Sequence, residues 1–297
     1  MKVVSSLVIS ASIFSSFASA SVTIDWVTVG NAGNAADTTG YGAVGYEYQI
    51  GKYEVTNAQY AEFLNAKAAT DNYSLYNTSM ASYGITRSGS SGSYSYTVSS
   101  GFENKPVVYV SWYDAARFSN WLSNGQGSGD TETGSYNLNG LSSGLILPVA
   151  DAKIRLPSED EWYKAAYYNG ANSTYSLYPN GENSITTADA NYNYRVGSTD
   201  VGTYSEDPSM YGTFDQGGNV WEWTDAVIGS FRGLRGGSWF GASDVGVYGL
   251  DSSSRYFASP WEEHESEGFR LASVPEPSAM VLTMLASGVM LMRRRCN

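Results

Sequence analysis

The sequence is almost without cysteine and histidine, and it is poor in basic residues. Its 297 residues include one cysteine, Cys296, and one histidine, His264. A single cysteine cannot form a disulfide within the chain, and a single histidine excludes a metal centre built from several histidines. The 17 lysines and arginines against 29 aspartates and glutamates give a net charge of −12. This balance argues against binding nucleic acid, because phosphate contacts need a basic face.

The N-terminus has the pattern of a secretory signal peptide. Lys2 is followed by an apolar run over residues 3–17 and then by Ala18-Ser19-Ala20. A charged start, an apolar centre and small residues at the cleavage point are the three parts of such a peptide. We therefore expect residues 1–20 to be removed and the protein to be exported.

The C-terminus carries a second apolar run, over residues 279–292, between Pro-Glu-Pro at 275–277 and three arginines at 293–295. The run is shorter than the roughly 20 residues of a comfortable bilayer span, and its basic end favours the cytoplasmic side. In order and content, residues 274–297 resemble the PEP-CTERM sorting signal of Gram-negative bacteria. The alternative is a plain C-terminal membrane anchor.

The resemblance to a PEP-CTERM signal implies a route for the protein. An exosortase-type sorting protease would recognise and remove the tail, after transient anchoring in the inner membrane through its apolar helix. The mature protein would then reach the outer surface or the extracellular matrix. Loss of the tail would also remove Cys296.

Three helices are predicted by the same start signal, a capping box. It occurs at Thr56, Ser111 and Ser158, each with a Gln, Asp or Glu three residues later. The apolar residues that follow each box recur at helical spacing, and a short β-like run precedes each box, over residues 48–55, 107–110 and 152–156.

The rest of the chain shows little helix signal. Residues 88–101 and 125–144 are rich in Gly, Ser and Thr and are interpreted as surface loops or irregular hairpins. Residues 167–272 contain short β-like runs and many turn residues. We therefore predict a single α+β domain over residues 21–273 with a low content of regular secondary structure.

Five sequence blocks together resemble the formylglycine-generating, or sulfatase-modifying factor, family. The most specific is Tyr-Gly-Thr-Phe-Asp-Gln-Gly-Gly-Asn-Val-Trp-Glu-Trp, followed by Arg-Gly-Gly-Ser-Trp. The resemblance implies the formylglycine-generating-enzyme fold, whose core is shared with C-type lectin-like domains. In chain order, the blocks are residues 51–57, 105–115, 155–162, 211–239 and 268–271.

The catalytic cysteines of that family are missing. In active members, two cysteines follow the Gly-Gly-Ser-aromatic element, and Gly241 and Gly246 stand at those positions here. Copper-dependent oxidation needs two thiolates to hold a soft monovalent ion, and glycine has no side-chain donor. We expect no copper.

A structural calcium ion is the cofactor that the resemblance implies. Calcium takes six to eight oxygen ligands, and carboxylates flanking a Gly-rich turn can supply them together with backbone carbonyls. The alternative is that Asp215 and Glu222 only hydrogen-bond the turn around Asn219. The family's first site maps onto Asp215, Gly218, Val220 and Glu222, and a second begins at Asn191 and Tyr192.

An acidic run surrounds the single histidine. Glu262, Glu263, Glu265 and Glu267 lie around His264 and could form the acid/base pair of a glycosidase. A run this dense and polar is more typical of a solvated loop, which is the interpretation we prefer.

Aromatic residues suggest carbohydrate recognition. The chain has 24 tyrosines and 8 tryptophans, and flat rings beside Asn, Asp and Ser suit the stacking of sugars. Trp112, Trp121, Trp162, Trp221 and Trp223 are expected in the core. The aromatic residues in polar contexts are Tyr94, Tyr96, Tyr167, Tyr168, Tyr192, Tyr194 and Trp261.

The functional hypothesis is an exported, non-catalytic binding protein on this scaffold, with exopolysaccharide or a surface glycan as partner and no nucleic acid. Contact with a membrane would occur only through the C-terminal signal before processing. The alternative is an enzyme of the sulfatase-modifying factor family with altered, non-copper chemistry.

Overall fold

A computed structural model describes residues 21–193, 196–240 and 249–274. Its three α-helices are α1 (Asn57–Lys67), α2 (Trp112–Ser123) and α3 (Glu159–Tyr167). Each begins at a predicted capping box, in which the cap hydroxyl accepts the backbone N–H three residues on and the side chain there accepts the cap N–H. A 3-10 helix spans Thr78–Ser82.

Two four-stranded sheets form the frame. The first has the order β1 (Trp26–Val29), β2 (Tyr48–Gly51), β12 (Ala272–Ser273), β5 (Ile154–Arg155), and all its pairs are antiparallel. It joins the start, the middle and the end of the described chain. This pairing of distant segments is consistent with one domain.

The second sheet has the order β10 (Tyr256–Ala258), β9 (Phe231–Arg235), β8 (Trp221–Ile228), β11 (Glu267–Gly268). Strand β11 runs parallel to β8, and the other two pairs are antiparallel. A bulge interrupts the β8–β9 register between Trp223 and Val227.

Two small hairpins complete the regular structure that the described residues contain. They pair β3 (Ile85–Ser88) with β4 (Ser95–Val98), and β6 (Tyr168–Asn169) with β7 (Thr174–Tyr175).

The main core lies between helices α1 and α2 and the second sheet. Phe63 and Phe118 meet edge to face at 5.4 Å between ring centroids, and Phe118 meets Phe269 at 5.5 Å. The predicted inward residues of all three helices are buried. Trp112, Trp121, Trp162 and Trp223 are buried as expected, and Trp221 is half-buried and packs against this core.

Some predicted elements differ from the observed ones. Residues 107–110 are not a strand, because Tyr109 adopts a left-handed backbone (φ 59°) that interrupts the extended run. The loop over residues 125–144 is anchored inward by Tyr136, whose fully buried hydroxyl donates to Asp225 and accepts the Leu156 N–H. Hydroxyl contacts between distant segments are invisible in a local sequence pattern.

The two targeting signals, residues 1–20 and 275–297, lie outside the described residues, so both stay predictions. Among the residues that the structure does describe, no helix combines the length and apolarity needed to cross a bilayer.

Candidate functional site

A cavity of about 330 Å³ opens beside the Gly-Gly-Ser-Trp element, and we call it the Glu267 cavity. Strands β8, β10 and β11 and the acidic run form its walls. Its described lining is Trp221, Ser238, Phe240, Tyr256, Glu262, His264, Glu265, Ser266 and Glu267.

Sheet pairing places an aromatic ring next to a carboxylate in this cavity. In the parallel β8–β11 pair, Trp221 is the register partner of Glu267. Partner residues project from the same face of a sheet, so both side chains point to the cavity. The Tyr256 ring lies 5.5 Å from the Trp221 ring, and 44% of Tyr256 is exposed. The cavity therefore has an aromatic wall that is open to solvent.

The Glu265 carboxylate is held in place by two tyrosines. Its Oε2 accepts the hydroxyls of Tyr83 at 3.1 Å and Tyr109 at 3.2 Å. Burial, and then the contact with Glu265, raise the pKa of Tyr83 to about 12, so Tyr83 stays protonated and donates. Tyr109 is also the residue whose left-handed backbone interrupts the predicted strand, so the irregular segment contributes a side chain to the site.

Glu267 is a buried carboxylate whose Oε2 lacks a hydrogen-bond partner among the residues that the structure describes. Only 5% of the residue is exposed, and burial, followed by repulsion from Glu262, raises its pKa to about 7. An unpaired buried carboxylate is costly, and such groups concentrate where a ligand completes them.

The interpretation of the acidic run as a solvated loop was wrong in part. Glu262 and His264 are exposed, but Glu265 is half-buried and Glu267 is buried. Glu263 faces a different cavity from the other three glutamates. The pairing of β11 with β8, which the sequence did not indicate, pulls the end of the run into the protein.

The Gly-rich turn before β8 forms a separate, fully buried polar network centred on Asn219. The Asn219 amide donates to Glu54 Oε1 at 3.2 Å and accepts from Asn191 Nδ2 at 3.1 Å. Its backbone N–H donates to the Asn191 carbonyl at 2.8 Å. Gly218 (φ 93°) must be glycine, because a Cβ there would lie 2.4 Å from that carbonyl oxygen.

Glu222 points away from the Glu267 cavity, because successive residues of a strand face opposite sides. Its two carboxylate oxygens accept from Arg270 Nε at 2.5 Å and Nη2 at 2.7 Å, and Oε2 also accepts the Trp162 indole N–H at 2.7 Å. All three side chains are fully buried. Glu222 thus has a complete set of protein partners.

The turn nevertheless contains oxygen atoms that suit calcium. Glu54 Oε2 and Asn191 Oδ1 are buried and have no hydrogen-bond partner within the described part of the chain, and both residues contact Asn219. Asp215 accepts the Gly202 N–H at 2.6 Å, and burial raises its pKa to about 6. Burial and the charges of Asp215 and Glu222 raise the pKa of Glu54 well above its usual range. A divalent cation would relieve this repulsion.

The donor set fits calcium better than it fits a transition metal. Across the described ranges, no three His, Cys, Asp or Glu side chains converge on a point that could hold a metal ion. Amide and backbone oxygens would therefore have to complete the shell, which calcium accepts. The side chain of Tyr192, predicted with Asn191 in a second site, packs in an apolar cluster with Tyr178 and Leu250, and the second site stays a prediction.

Several predicted positions have other outcomes. Gly241 and Gly246 lie outside the described residues, as does Tyr194. Val220 is buried against Trp239. Tyr83, Tyr109, Tyr256 and Glu54 were not predicted as site residues. Tyr83 and Tyr256 lie outside the five family blocks, and Tyr109 and Glu54 lie within blocks that indicate the fold but not these contacts, which only folding creates.

Comparison with known proteins identifies the scaffold. A family model, the sulfatase-modifying factor enzyme 1-like domain, matches residues 30–274. The chain is similar to hercynine oxygenase of Mycolicibacterium thermoresistibile, with 32% identity over 149 residues that cover 42% of this chain and 32% of that protein. It is also similar to the serine/threonine-protein kinase pkn1 of Chlamydia caviae, with 27% identity over 58% of this chain and 24% of the other. The chain thus spans at most about a third of these curated relatives.

Two solved structures share the fold. CarF superposes with a TM-score of 0.59 at 22% identity, covering 86% of this chain and 99% of the other. Treponema denticola variable protein 1 superposes with a TM-score of 0.57 at 24% identity, covering 87% and 98%. The expected α+β formylglycine-generating-enzyme fold, with its C-type-lectin-like core, is confirmed.

Proposed function

The chain belongs to the sulfatase-modifying factor enzyme 1-like domain family, and from this premise we propose that it is an exported, non-catalytic binding protein. The family resemblance puts Gly241 and Gly246 where active members carry their cysteines. Without thiolates a copper ion has no soft ligands at these positions. The scaffold then serves to present a binding surface.

The ligand that we propose is a glycan, as exopolysaccharide or surface polysaccharide. The observation that carries this proposal is the Glu267 cavity, in which exposed aromatic rings stand beside the buried Glu267 carboxylate. Aromatic faces pack against the C–H faces of sugars, and the unpartnered Glu267 oxygen would accept a sugar hydroxyl. Binding would thereby satisfy a buried polar group that the described residues leave unpaired.

Calcium is proposed as a structural ion at the Gly-rich turn. Asp215, Glu54 and Asn191 would supply side-chain oxygens, and Gly218 and Val220 would contribute backbone carbonyls. Glu222, which the family mapping includes, would act through its charge while Arg270 holds its carboxylate. The ion would stabilise the turn that leads into β8.

The proposed location is the outer surface or extracellular matrix of a Gram-negative bacterium. The N-terminal signal pattern and the Pro-Glu-Pro, apolar and triple-arginine order support export followed by exosortase processing.

The first test is a glycan array probed with the purified protein, with calcium and then with a chelator. We expect binding that Tyr256→Ala and Glu267→Gln each weaken by about tenfold or more. The first removes a ring of the aromatic wall, and the second replaces the carboxylate that would accept a sugar hydroxyl by an amide. The matched control is Met210→Ala, an exposed side chain that does not line this cavity. A protein that binds no polysaccharide in either state would contradict the proposal.

An enzyme with non-copper chemistry is the second candidate, and a specific feature favours it. Glu265 and Glu267 line one cavity, one fixed by two tyrosine hydroxyls and the other with its pKa raised to about 7. Carboxylates in such different environments are typical of acid/base pairs. Two assays decide between a binding protein and an enzyme. Oligosaccharides are incubated with the protein, and a Cys-x-Pro-x-Arg peptide is incubated with the protein and copper; mass spectrometry then identifies any product. Cleavage or formylglycine would establish an enzyme.

A further inference from the structure

A second cavity, of about 280 Å³, lies next to the first, and we call it the Trp261 cavity. Its walls come from the start of helix α2, the loop at residues 72–74 and the acidic run. Trp261 stands at its edge with 56% of its surface exposed, and Tyr73 with 41%. Two large aromatic side chains exposed at one cavity are a feature that a ligand would cover.

The polar groups of the Trp261 cavity are held in fixed positions. Asp114 Oδ2 accepts both the N–H and the hydroxyl of Ser111, as part of the α2 capping box. Glu263 Oε2 accepts the Asn77 amide at 2.5 Å. The Arg117 guanidinium lies 4.5 Å from the centre of the Tyr73 ring. These contacts give the cavity a rigid set of hydrogen-bonding groups beside its rings.

One segment of chain separates the two cavities. Trp261 and Glu263 line the Trp261 cavity, whereas Glu262 and His264 line the Glu267 cavity. Successive residues of this segment thus face alternate cavities, so the segment itself lies between them. A chain-like ligand that leaves one cavity would enter the other.

We propose that the two cavities are neighbouring parts of one extended site for a linear polysaccharide without anionic groups, which crosses the wall over Trp261. The inference rests on the proposed glycan-binding function and deepens it, because it states where the polymer runs and which polymers are excluded.

The charge of the lining excludes anionic polymers. Five carboxyl groups line the two cavities, and Arg117 is the single cationic side chain among the described residues that line them. Arg117 is already paired with Glu132, with Nε to Oε1 at 2.8 Å. Uronic acids or sulfated sugars would be repelled here, whereas neutral and amino sugars would not. The carboxyl groups are those of Asp114, Glu262, Glu263, Glu265 and Glu267.

The test is calorimetric titration of the purified protein with dimers and hexamers of three kinds. The probes are cello-oligosaccharides, glucosamine oligomers and oligogalacturonates. We expect at least one of the first two hexamers to bind about tenfold tighter than its dimer, since only a hexamer reaches both cavities. Oligogalacturonates of either length should not bind.

Two variants locate the crossing point. Trp261→Ala should lower hexamer affinity by about tenfold and leave dimer affinity unchanged, whereas Trp261→Phe, which keeps a ring face, should retain most of the hexamer affinity. Tyr256→Ala should weaken dimers and hexamers alike, because Tyr256 lines the Glu267 cavity.

The outcomes separate this inference from the proposed function. Dimers that bind in a Tyr256-dependent way, with hexamers no tighter and Trp261→Ala without effect, would overturn the extended site and leave glycan binding intact. Strong binding of oligogalacturonates would also overturn it. If none of the six oligosaccharides binds and the glycan array also shows no binding, both proposals are refuted.

Discussion

At the scale of single residues, two buried glutamates on neighbouring strands differ in their hydrogen bonding. Glu222 is fully paired with Arg270 and Trp162, whereas Glu267 Oε2 has no hydrogen-bond partner in the described ranges. Removing Arg270 would leave a buried charge unpaired, which typically costs 3–5 kcal/mol. Glu222 therefore serves the structure, and Glu267 is the group that a ligand would complete.

Glu267→Gln is expected to stabilise the protein at pH 8. Burial raises the pKa of Glu267 from 4.5 to about 7, so the folded state binds the proton more tightly than the unfolded chain does. The contribution of this group to stability is greatest below pH about 4.5 and declines as the pH rises through about 7. The glutamine side chain does not titrate, so the variant avoids this loss of stability, which is on the order of 3 kcal/mol.

The measurement is urea unfolding of both proteins at pH 5 and pH 8. The stability gain of the variant should be larger at pH 8, while its glycan binding falls, the usual opposition between stability and function. An equal difference at both pH values would show that Glu267 is not the group that titrates.

At the scale of elements, the helix starts are specified by residues that are close in the sequence, whereas the short strands depend on distant partners. Each helix begins at a hydroxyl residue whose capping box lies within four consecutive residues, as at Ser158. Strands β11 and β12 have only two residues each and exist because they pair with distant β8 and β2. Helix starts were therefore predictable. These short strands, including β11, which lines the Glu267 cavity, were not.

Ser158→Ala should destabilise the protein by about 1 kcal/mol. The Ser158 hydroxyl accepts the Glu161 N–H at 3.2 Å, and alanine leaves this donor at the start of α3 without its cap. Urea unfolding measures the change, with Ser158→Thr as control because threonine keeps the hydroxyl. A loss in the threonine variant as large as in the alanine variant would refute capping as the cause.

At the scale of the whole molecule, some of the acidic residues behind the net charge of −12 are buried in the interior. Glu54, Asp215 and Glu222 are buried around the Gly-rich turn, and Arg270 is the cation that acts on them. If all three carboxyls are ionised, this region keeps an excess of two negative charges. Such an excess is the electrostatic complement of a divalent cation.

Calcium should raise the thermal stability of the protein. An ion that binds only the folded state adds about 2.7 kcal/mol at a concentration of 100 Kd. Differential scanning calorimetry with calcium and with a chelator measures this, and magnesium should substitute poorly because it demands a smaller octahedral shell. Asp215→Ala should abolish the shift, and Asp151→Ala, an exposed carboxylate, should not. The calcium site would be disproved by identical melting curves in all these conditions.

The sequence by itself determined the family, the three helix starts and the Gly-rich turn, because each depends on residues that are neighbours in the chain. It also indicated the acidic run, although not its burial. Only the tertiary structure decided that Glu267 lies buried beside Trp221 and that Tyr83 and Tyr109 donate hydrogen bonds to Glu265. It also placed Trp261 at the edge of a second cavity. The physical reason is that these contacts join segments up to about 180 residues apart, and their partners are chosen by packing and strand pairing rather than by local pattern.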